Sequence, residues 1–154
     1  MKKFLKSLLY AANGIVKAFE GGVNIRVQFS LAIVVMYLSP IALSSFNEFL
    51  SVLLIIGLVI SLEIVNTSIE QLCDFVCSEK SDKIKFVKDM SAGAVLFSSV
   101  IAFFIGLKLF VLNGRILKIY KYLISNVFYS VILLLIIFIL TVFILRKRNG
   151  EENE

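Results

Sequence analysis

The sequence lacks histidine altogether, and its 154 residues include only one proline, two cysteines and eight glycines. So little proline and glycine excludes a loop-rich, collagen-like or low-complexity chain. The cysteines, Cys73 and Cys77, have no histidine with which to complete a four-ligand zinc site, and we expect them to be reduced thiols. Charged residues are also scarce, at 18% against about a quarter in ordinary soluble domains.

Apolar residues, by contrast, make up 59% of the chain, and the mean hydropathy is +0.95. They occur in long blocks rather than periodic stripes, which is typical of segments that cross a bilayer. Lipid permits only helices or closed barrels, and the run at 131–140 lacks the polar and apolar alternation of a barrel strand. The sequence therefore predicts an all-α, polytopic membrane helix bundle.

Four apolar segments are long enough to cross the hydrocarbon layer, at about 27–43, 50–69, 92–112 and 127–145. They are preceded by a basic, amphipathic segment at 1–19, which we expect to be a helix lying on the membrane surface. We expect residues 1–112 to form one membrane domain. Residues 113–154 would then contribute a linker, an extra transmembrane helix and a tail.

The distribution of basic residues orients the bundle. With the N-terminus in the cytoplasm, most of the 16 lysines and arginines fall on the cytoplasmic side, as the positive-inside rule requires. The basic linker at 113–121 is then external, and we interpret it as an interfacial helix. The expected location is the cell (inner, cytoplasmic) membrane, with several passes.

One helical face carries polar residues at membrane depth. In the segment SLEIVNTSIEQLCD, residues 61–74, the spacing at 100° per residue aligns Glu63, Asn66, Glu70 and Asp74 on one stripe. Charged groups inside a span are costly, so they indicate function. Aligned carboxylates can bind a hard cation such as Mg²⁺, and a desolvated carboxylate can act as a general base.

Lys88 and Asp89 immediately precede the third span, at the same membrane boundary. A base, a metal ligand and a phosphate-binding lysine are the groups that phosphoryl transfer to a lipid hydroxyl needs. No Walker-type or kinase-type glycine loop is present in the sequence.

Other interpretations of these residues remain open from the pattern alone. The carboxylate stripe is also compatible with a proton or cation pathway. Asn66 is compatible with simple helix packing, and the basic run at 80–88 with a solvated loop near lipid headgroups.

The same residues resemble a known family, the small bacterial membrane lipid kinases that phosphorylate diacylglycerol or undecaprenol. The similarity is carried by EIVNTSIEQLCD at 63–74, by Ser78-Glu79 and by KDMSAGAVL at 88–96. NGIVKAF at 13–19 and NIR at 24–26 are similar to the family's amphipathic N-terminal segment.

The resemblance implies a homotrimer of three-span protomers with a surface helix, active sites shared between protomers, and use of Mg²⁺ and ATP. It implies Glu63 as the general base with Asn66 beside it, and Glu70 as a metal ligand. It further implies that a polar set holds the nucleotide and phosphate groups: Asp74, Glu79, Lys88 and Asp89. Asn24 and Arg26 are the remaining polar positions that match the family pattern.

Three features depart from the family pattern. Gly22 stands where relatives carry a metal-binding glutamate, four residues before Arg26, so Glu20 becomes the alternative ligand. Lys80-Ser81 replaces an aromatic residue and a histidine, and the fourth span is absent from the minimal family.

We therefore expect an ATP-dependent lipid kinase acting on a primary alcohol, undecaprenol or diacylglycerol, with a slight preference for undecaprenol. No nucleic-acid partner is expected. The alternatives are a degenerate relative that serves as a membrane scaffold and a small cation transporter.

Overall fold

The computed structural model of the chain describes residues 2–76, 81–112 and 114–145. Within these ranges every regular element is a helix, which confirms the all-α prediction. The elements are α1 (Lys2–Gly21), α2 (Val23–Ala42), α3 (Phe46–Val76), α4 (Asp82–Gly106, continued by a π-helical turn at Leu107–Val111), α5 (Arg115–Ser125) and α6 (Val127–Leu145).

Four of these helices, α2, α3, α4 with its π-helical turn, and α6, are long and apolar enough to cross a membrane. Helix α3 extends over 31 residues and continues through Val76, well beyond the apolar segment expected at 50–69. Helix α4 begins at Asp82, ten residues before the segment expected at 92–112. The apolar run gives only the part of the helix that lies in the hydrocarbon layer. The helix itself continues into the charged segment because no proline or glycine interrupts it there.

Helix α1 is amphipathic and lies beside the bundle. Ala18 is its one buried residue within the described range, whereas Phe4, Leu8 and Leu9 are exposed. A helix with such an apolar face is stable at the surface of a bilayer, where the face enters the headgroup boundary. Its C-terminal end packs against α2 and α3.

The spanning helices pack in the order α6, α2, α3, α4, with α3 and α4 forming the most extensive pair. Short connections make consecutive helices antiparallel, so one end of the bundle holds α1 and the other holds α5. We call these the α1 end and the α5 end. Large apolar side chains on the outward faces are exposed, as expected where lipid replaces water.

The α5 end is held together by α5 itself, which occupies the basic linker predicted to be helical. Ile119 of α5 packs with Ile41 and Ala42 at the end of α2. Arg115 donates a 2.7 Å hydrogen bond to Glu48 Oε1 at the start of α3. This bond raises the pKa of the Arg115 guanidinium, so the ion pair stays charged.

Candidate active site

Glu63 is the most deeply buried carboxylate of the polar stripe, with 3% of its surface exposed. Gln28 of α2 donates a 2.9 Å hydrogen bond from Nε2 to Glu63 Oε2. The other polar atom of that amide, Gln28 Oε1, is buried without a hydrogen-bond partner among the described residues. Among the described residues, the donor that holds Glu63 is therefore a neutral amide.

Asn66 lies one turn further along α3 and is also buried, with 4% of its surface exposed. Its Nδ2 donates a 3.0 Å hydrogen bond to Glu70 Oε1. Its Oδ1 lies 2.6 Å from the hydroxyl of Ser91 on α4, and that hydroxyl is also 2.9 Å from the carbonyl oxygen of Lys88. Asn66 thus links the metal-ligand candidate Glu70 to the helix that carries Lys88.

Asp74 and Lys88 form an ion pair between α3 and α4. The Asp74 side chain is 68% exposed and the Lys88 side chain 32% exposed, so both reach the surface of the bundle at the α1 end. The stripe therefore runs from a buried carboxylate at Glu63 to a solvated one at Asp74. Screening by water keeps the attraction of such an exposed pair small, so a phosphate group could displace the carboxylate from Lys88.

The junction between α1 and α2 packs against this stretch of α3. A Cβ atom built on Gly21 would approach Gln71 Nε2 to 2.8 Å and Thr67 Cγ2 to 3.2 Å. One on Gly22 would have Thr67 Oγ1 at 4.0 Å as its nearest neighbour. Thr67 is buried and lies between Glu63 and Glu70 in the sequence. The junction therefore lies beside the polar stripe.

Several predicted site residues lie outside the network of hydrogen bonds just described. Glu20, Asn24 and Asp89 are exposed on α1, α2 and α4 respectively. Arg26 is buried and donates to the carbonyl oxygens of Gly22 and Phe143. Glu79, with Ser78 and Lys80, falls outside the described residues.

An apolar cavity of about 520 Å³ lies between α2, α3 and α4, on the α5 side of the polar stripe. Gln28 lines the cavity at its polar end, next to Ile60 and Ser99. Val52, Phe110 and Val111 line the opposite end. The cavity therefore provides apolar space that ends at Gln28, which donates a hydrogen bond to Glu63.

The model of the prokaryotic diacylglycerol kinase family matches residues 9–110. The chain belongs to that family. It is also similar to the undecaprenol kinase of Bacillus subtilis (strain 168), with 32% identity over 110 residues, which cover 71% of this chain and 89% of that protein. No solved structure matches the chain.

Membership of the prokaryotic diacylglycerol kinase family makes the protein a membrane lipid kinase. The matched region contains α2, α3 and nearly all of α4, and hence the whole polar stripe and its partners. It ends before α5 and α6, so the fourth spanning helix lies beyond the part that the family model covers.

Two residues that bond the polar stripe, Gln28 and Ser91, were not among the residues predicted from the sequence. Gln28 was detectable as a polar side chain near the start of an apolar span, which is costly unless it has a partner. Ser91 carries no such signal, because serine occurs in spans as an ordinary packing residue. Only the approach of α4 to α3 identifies it as the partner of Asn66.

Phosphoryl-transfer enzymes usually use a divalent metal, and the oxygen donors here are of the type that Mg²⁺ prefers. Glu70 uses Oε1 to accept from Asn66, which leaves Oε2 available. Within the part of the chain that the structure describes, no three acidic or cysteine side chains cluster around one point. Mg²⁺ commonly uses one or two carboxylates and completes its shell with substrate phosphates and water, so this donor set fits the metal.

Proposed function

We propose that this lipid kinase transfers the γ-phosphate of ATP to the primary hydroxyl of undecaprenol in the cytoplasmic membrane. The acceptor is proposed from the similarity to undecaprenol kinase over most of that protein's length. Diacylglycerol, which gives the family its name, is the second candidate and needs the same chemistry at its hydroxyl.

The observation that carries the proposal is the position of Gln28, the hydrogen-bond donor to Glu63, at the polar end of the apolar cavity. A lipid whose chain enters this cavity would bring its hydroxyl to the Gln28 and Glu63 pair. Glu63 would accept the hydroxyl proton as the lipid oxygen bonds to the γ-phosphorus and the bond from that phosphorus to the β,γ-bridging oxygen of ATP breaks. The products are the lipid phosphate and ADP.

The nucleotide would approach from the α1 end, where the stripe becomes solvated. Lys88 pairs with Asp74 of the stripe, and a phosphate oxygen would replace this exposed carboxylate. Asn66 would hold the carboxylate of Glu70 in place through its 3.0 Å hydrogen bond. Asp89 and Glu79 are proposed to contribute to the same nucleotide site.

Glu70, with Glu20 as a second candidate, would hold Mg²⁺, which when bound neutralises charge on the phosphates. The exposed positions of Glu20, Asn24 and Asp89 at the α1 end are consistent with sites completed by a neighbouring protomer. We therefore propose a homotrimer with shared active sites. The α1 end would face the cytoplasm, in agreement with the distribution of basic residues.

The test is transfer of labelled γ-phosphate from Mg-ATP to lipid by the purified full-length protein in mixed micelles. Undecaprenol and diacylglycerol are offered separately, and Glu63→Gln is compared with Glu48→Gln, which alters the same helix at its other end. We expect label on undecaprenol with the wild type and Glu48→Gln, and none with Glu63→Gln. Label on diacylglycerol alone would reassign the acceptor.

Absence of label with either lipid, from a protein that is folded and assembled, would contradict the proposal and favour the membrane-scaffold alternative. Ion flux into vesicles without ATP would favour a transporter instead. Label from Glu63→Gln at the wild-type rate would remove Glu63 from the role of general base.

A further inference from the structure

Helix α6 lies beyond the region matched by the family model and packs along α2 through one of its faces. Tyr129, Leu133, Ile136, Leu140 and Phe143 are partly buried, whereas most of the intervening residues are exposed. Their spacing of four, three, four and three residues defines a single seam of the kind that joins two packed helices. Phe138 lies on the opposite face and is 68% exposed.

The seam is fixed at the α5 end by aromatic residues. The rings of Tyr37 on α2 and Tyr129 on α6 have centroids 4.3 Å apart, and each hydroxyl donates to the other residue's carbonyl oxygen. Tyr122 of α5 packs edge-on against Tyr129, with ring centroids 5.3 Å apart. These reciprocal contacts set the register of α6 on α2.

The seam is fixed at the α1 end by Phe143 and Arg26. The Phe143 carbonyl oxygen accepts a 3.4 Å hydrogen bond from Arg26 Nη1, and the Phe143 ring lies 6.2 Å from the ring of Phe19 on α1. Arg26 is buried in the first turn of α2, where the helix dipole disfavours a positive charge. The carbonyl oxygens of the last turn of α6 carry the opposite partial charge and compensate it.

This contact leads directly to the active site. Phe19 and Arg26 flank Gly21 and Gly22, the junction that packs on Thr67 and Gln71 of α3. A junction made of two glycines has little intrinsic stiffness, because glycine loses more conformational freedom on ordering than any other residue. Contacts on both sides of the junction therefore have to hold it against the polar stripe.

We propose that α6 is a positioning element of the kinase, which holds the α1–α2 junction against α3 through Phe143. The inference rests on the proposed function, since the site beside the junction is the one assigned there to Mg-ATP. It assigns a role in the reaction to a helix that the family model does not cover.

The kinetic test compares Phe143→Ala with Phe138→Ala, which removes the same ring from the lipid-facing side of the same helix. Loss of the Phe143 ring would let the α1–α2 junction shift away from α3, and even a small shift of a binding group weakens binding. We therefore expect Phe143→Ala to raise the KM for Mg-ATP by roughly tenfold. The KM for the lipid should not change, and Phe138→Ala should behave as the wild type. Phe143→Tyr, which keeps the ring, should restore the wild-type KM.

A second measurement does not depend on activity. In a Cys73→Ser and Cys77→Ser background, cysteine pairs at positions 19 and 143 and at positions 37 and 129 should both be joined in membranes by a short bifunctional maleimide, which spans the gap that two facing aromatic rings leave. A nitroxide at position 20 should become more mobile in Phe143→Ala and stay unchanged in Phe138→Ala. This readout decides the inference even if neither lipid is phosphorylated.

Two results would overturn the inference. One is failure of the 19 and 143 pair to cross-link while the 37 and 129 pair does so, because α6 would then contact α2 only at the α5 end. The other is Phe143→Ala with wild-type KM and wild-type mobility at position 20, which would make α6 a membrane anchor alone.

Discussion

The side-chain amide of Gln28 donates to Glu63 at 2.9 Å and leaves its own oxygen buried without a partner among the described residues. One helix thus supplies the carboxylate and another supplies the group that orients it. A neutral donor holds a carboxylate in place without the strong attraction of a cation, which would stabilise its charged form and weaken it as a base.

Replacing Gln28 by methionine keeps the length of the side chain and removes both polar atoms. Glu63 would then be buried without a donor and would lose its fixed orientation. We expect kcat to fall by roughly a hundredfold, as for other misplaced catalytic groups, with little change in the KM for ATP. Steady-state phosphate transfer to lipid measures both quantities.

The control for Gln28→Met is Ser30→Ala on the same helix. The Ser30 hydroxyl is buried and donates to the carbonyl oxygen of Arg26 within its own helix, so its loss disturbs no group of α3. A kcat of Gln28→Met equal to that of Ser30→Ala would show that the amide has no part in the reaction.

Ser91→Ala tests the link between α3 and α4. It removes the hydroxyl that bonds Asn66 Oδ1 and leaves Asn66 free to rotate away from Glu70. We expect roughly a tenfold loss of kcat/KM for Mg-ATP. Ser98→Ala is the matched change, because Ser98 is buried on the same helix but bonds only its own backbone, to Val95. Equal losses in the two variants would indicate a general effect on α4 packing.

One part of the site was predictable from local sequence, and another depends on tertiary packing. The alignment of Glu63, Asn66, Glu70 and Asp74 follows from helical periodicity, and α3 confirms it by running unbroken through all four. The partners Gln28 and Ser91 lie 35 and 25 residues away in the sequence, and only the packing of α2 and α4 on α3 brings them close.

The existence of the fourth span was also predictable from local sequence, whereas its role was not. A nearly uniform apolar run from 127 to 145 can only be a spanning helix in this chain. Such a run gives no periodic signal for the face that packs on a neighbour. The contacts of Tyr129 with Tyr37 and of Phe143 with Arg26 depend on tertiary register, which sequence periodicity does not encode.

Glu70→Gln tests the proposed metal ligand. The amide keeps the size of the side chain and an acceptor for Asn66, but it removes the negative charge that a hard cation requires. We expect loss of phosphate transfer at millimolar Mg²⁺ and an unchanged assembled protein by size-exclusion chromatography. Glu48→Gln, on the same helix at the α5 end, should retain activity. Full activity of Glu70→Gln would exclude Glu70 as a ligand.

Lys88→Met tests the proposed phosphate contact. Methionine keeps the apolar stem and removes the ammonium group, so binding of the nucleotide phosphates should weaken. We expect the KM for ATP to rise by roughly tenfold or more, as for the loss of a charge-assisted hydrogen bond. Lys83→Met, at an exposed position on the same helix, should leave that KM unchanged. Equal effects of the two changes would indicate an influence of net charge alone.

Gly22→Glu tests whether this kinase works with an incomplete metal site. The backbone of Gly22 is extended, with φ at −153°, a conformation open to any residue. A Cβ there would meet nothing closer than Thr67 Oγ1, at 4.0 Å, so a side chain fits and starts beside the stretch of α3 between Glu63 and Glu70. The added carboxylate would give Mg²⁺ a second charged ligand besides Glu70.

We therefore expect Gly22→Glu to lower the Mg²⁺ concentration that gives half-maximal activity. The decrease should be roughly tenfold, the effect of one charge-assisted contact. Gly22→Gln is the matched control, since it fills the same space and stiffens the junction equally without adding charge. A shift in Gly22→Glu alone identifies a metal ligand. An equal shift in both variants would trace the effect to stiffening of the junction, and no shift would show that position 22 does not reach the metal.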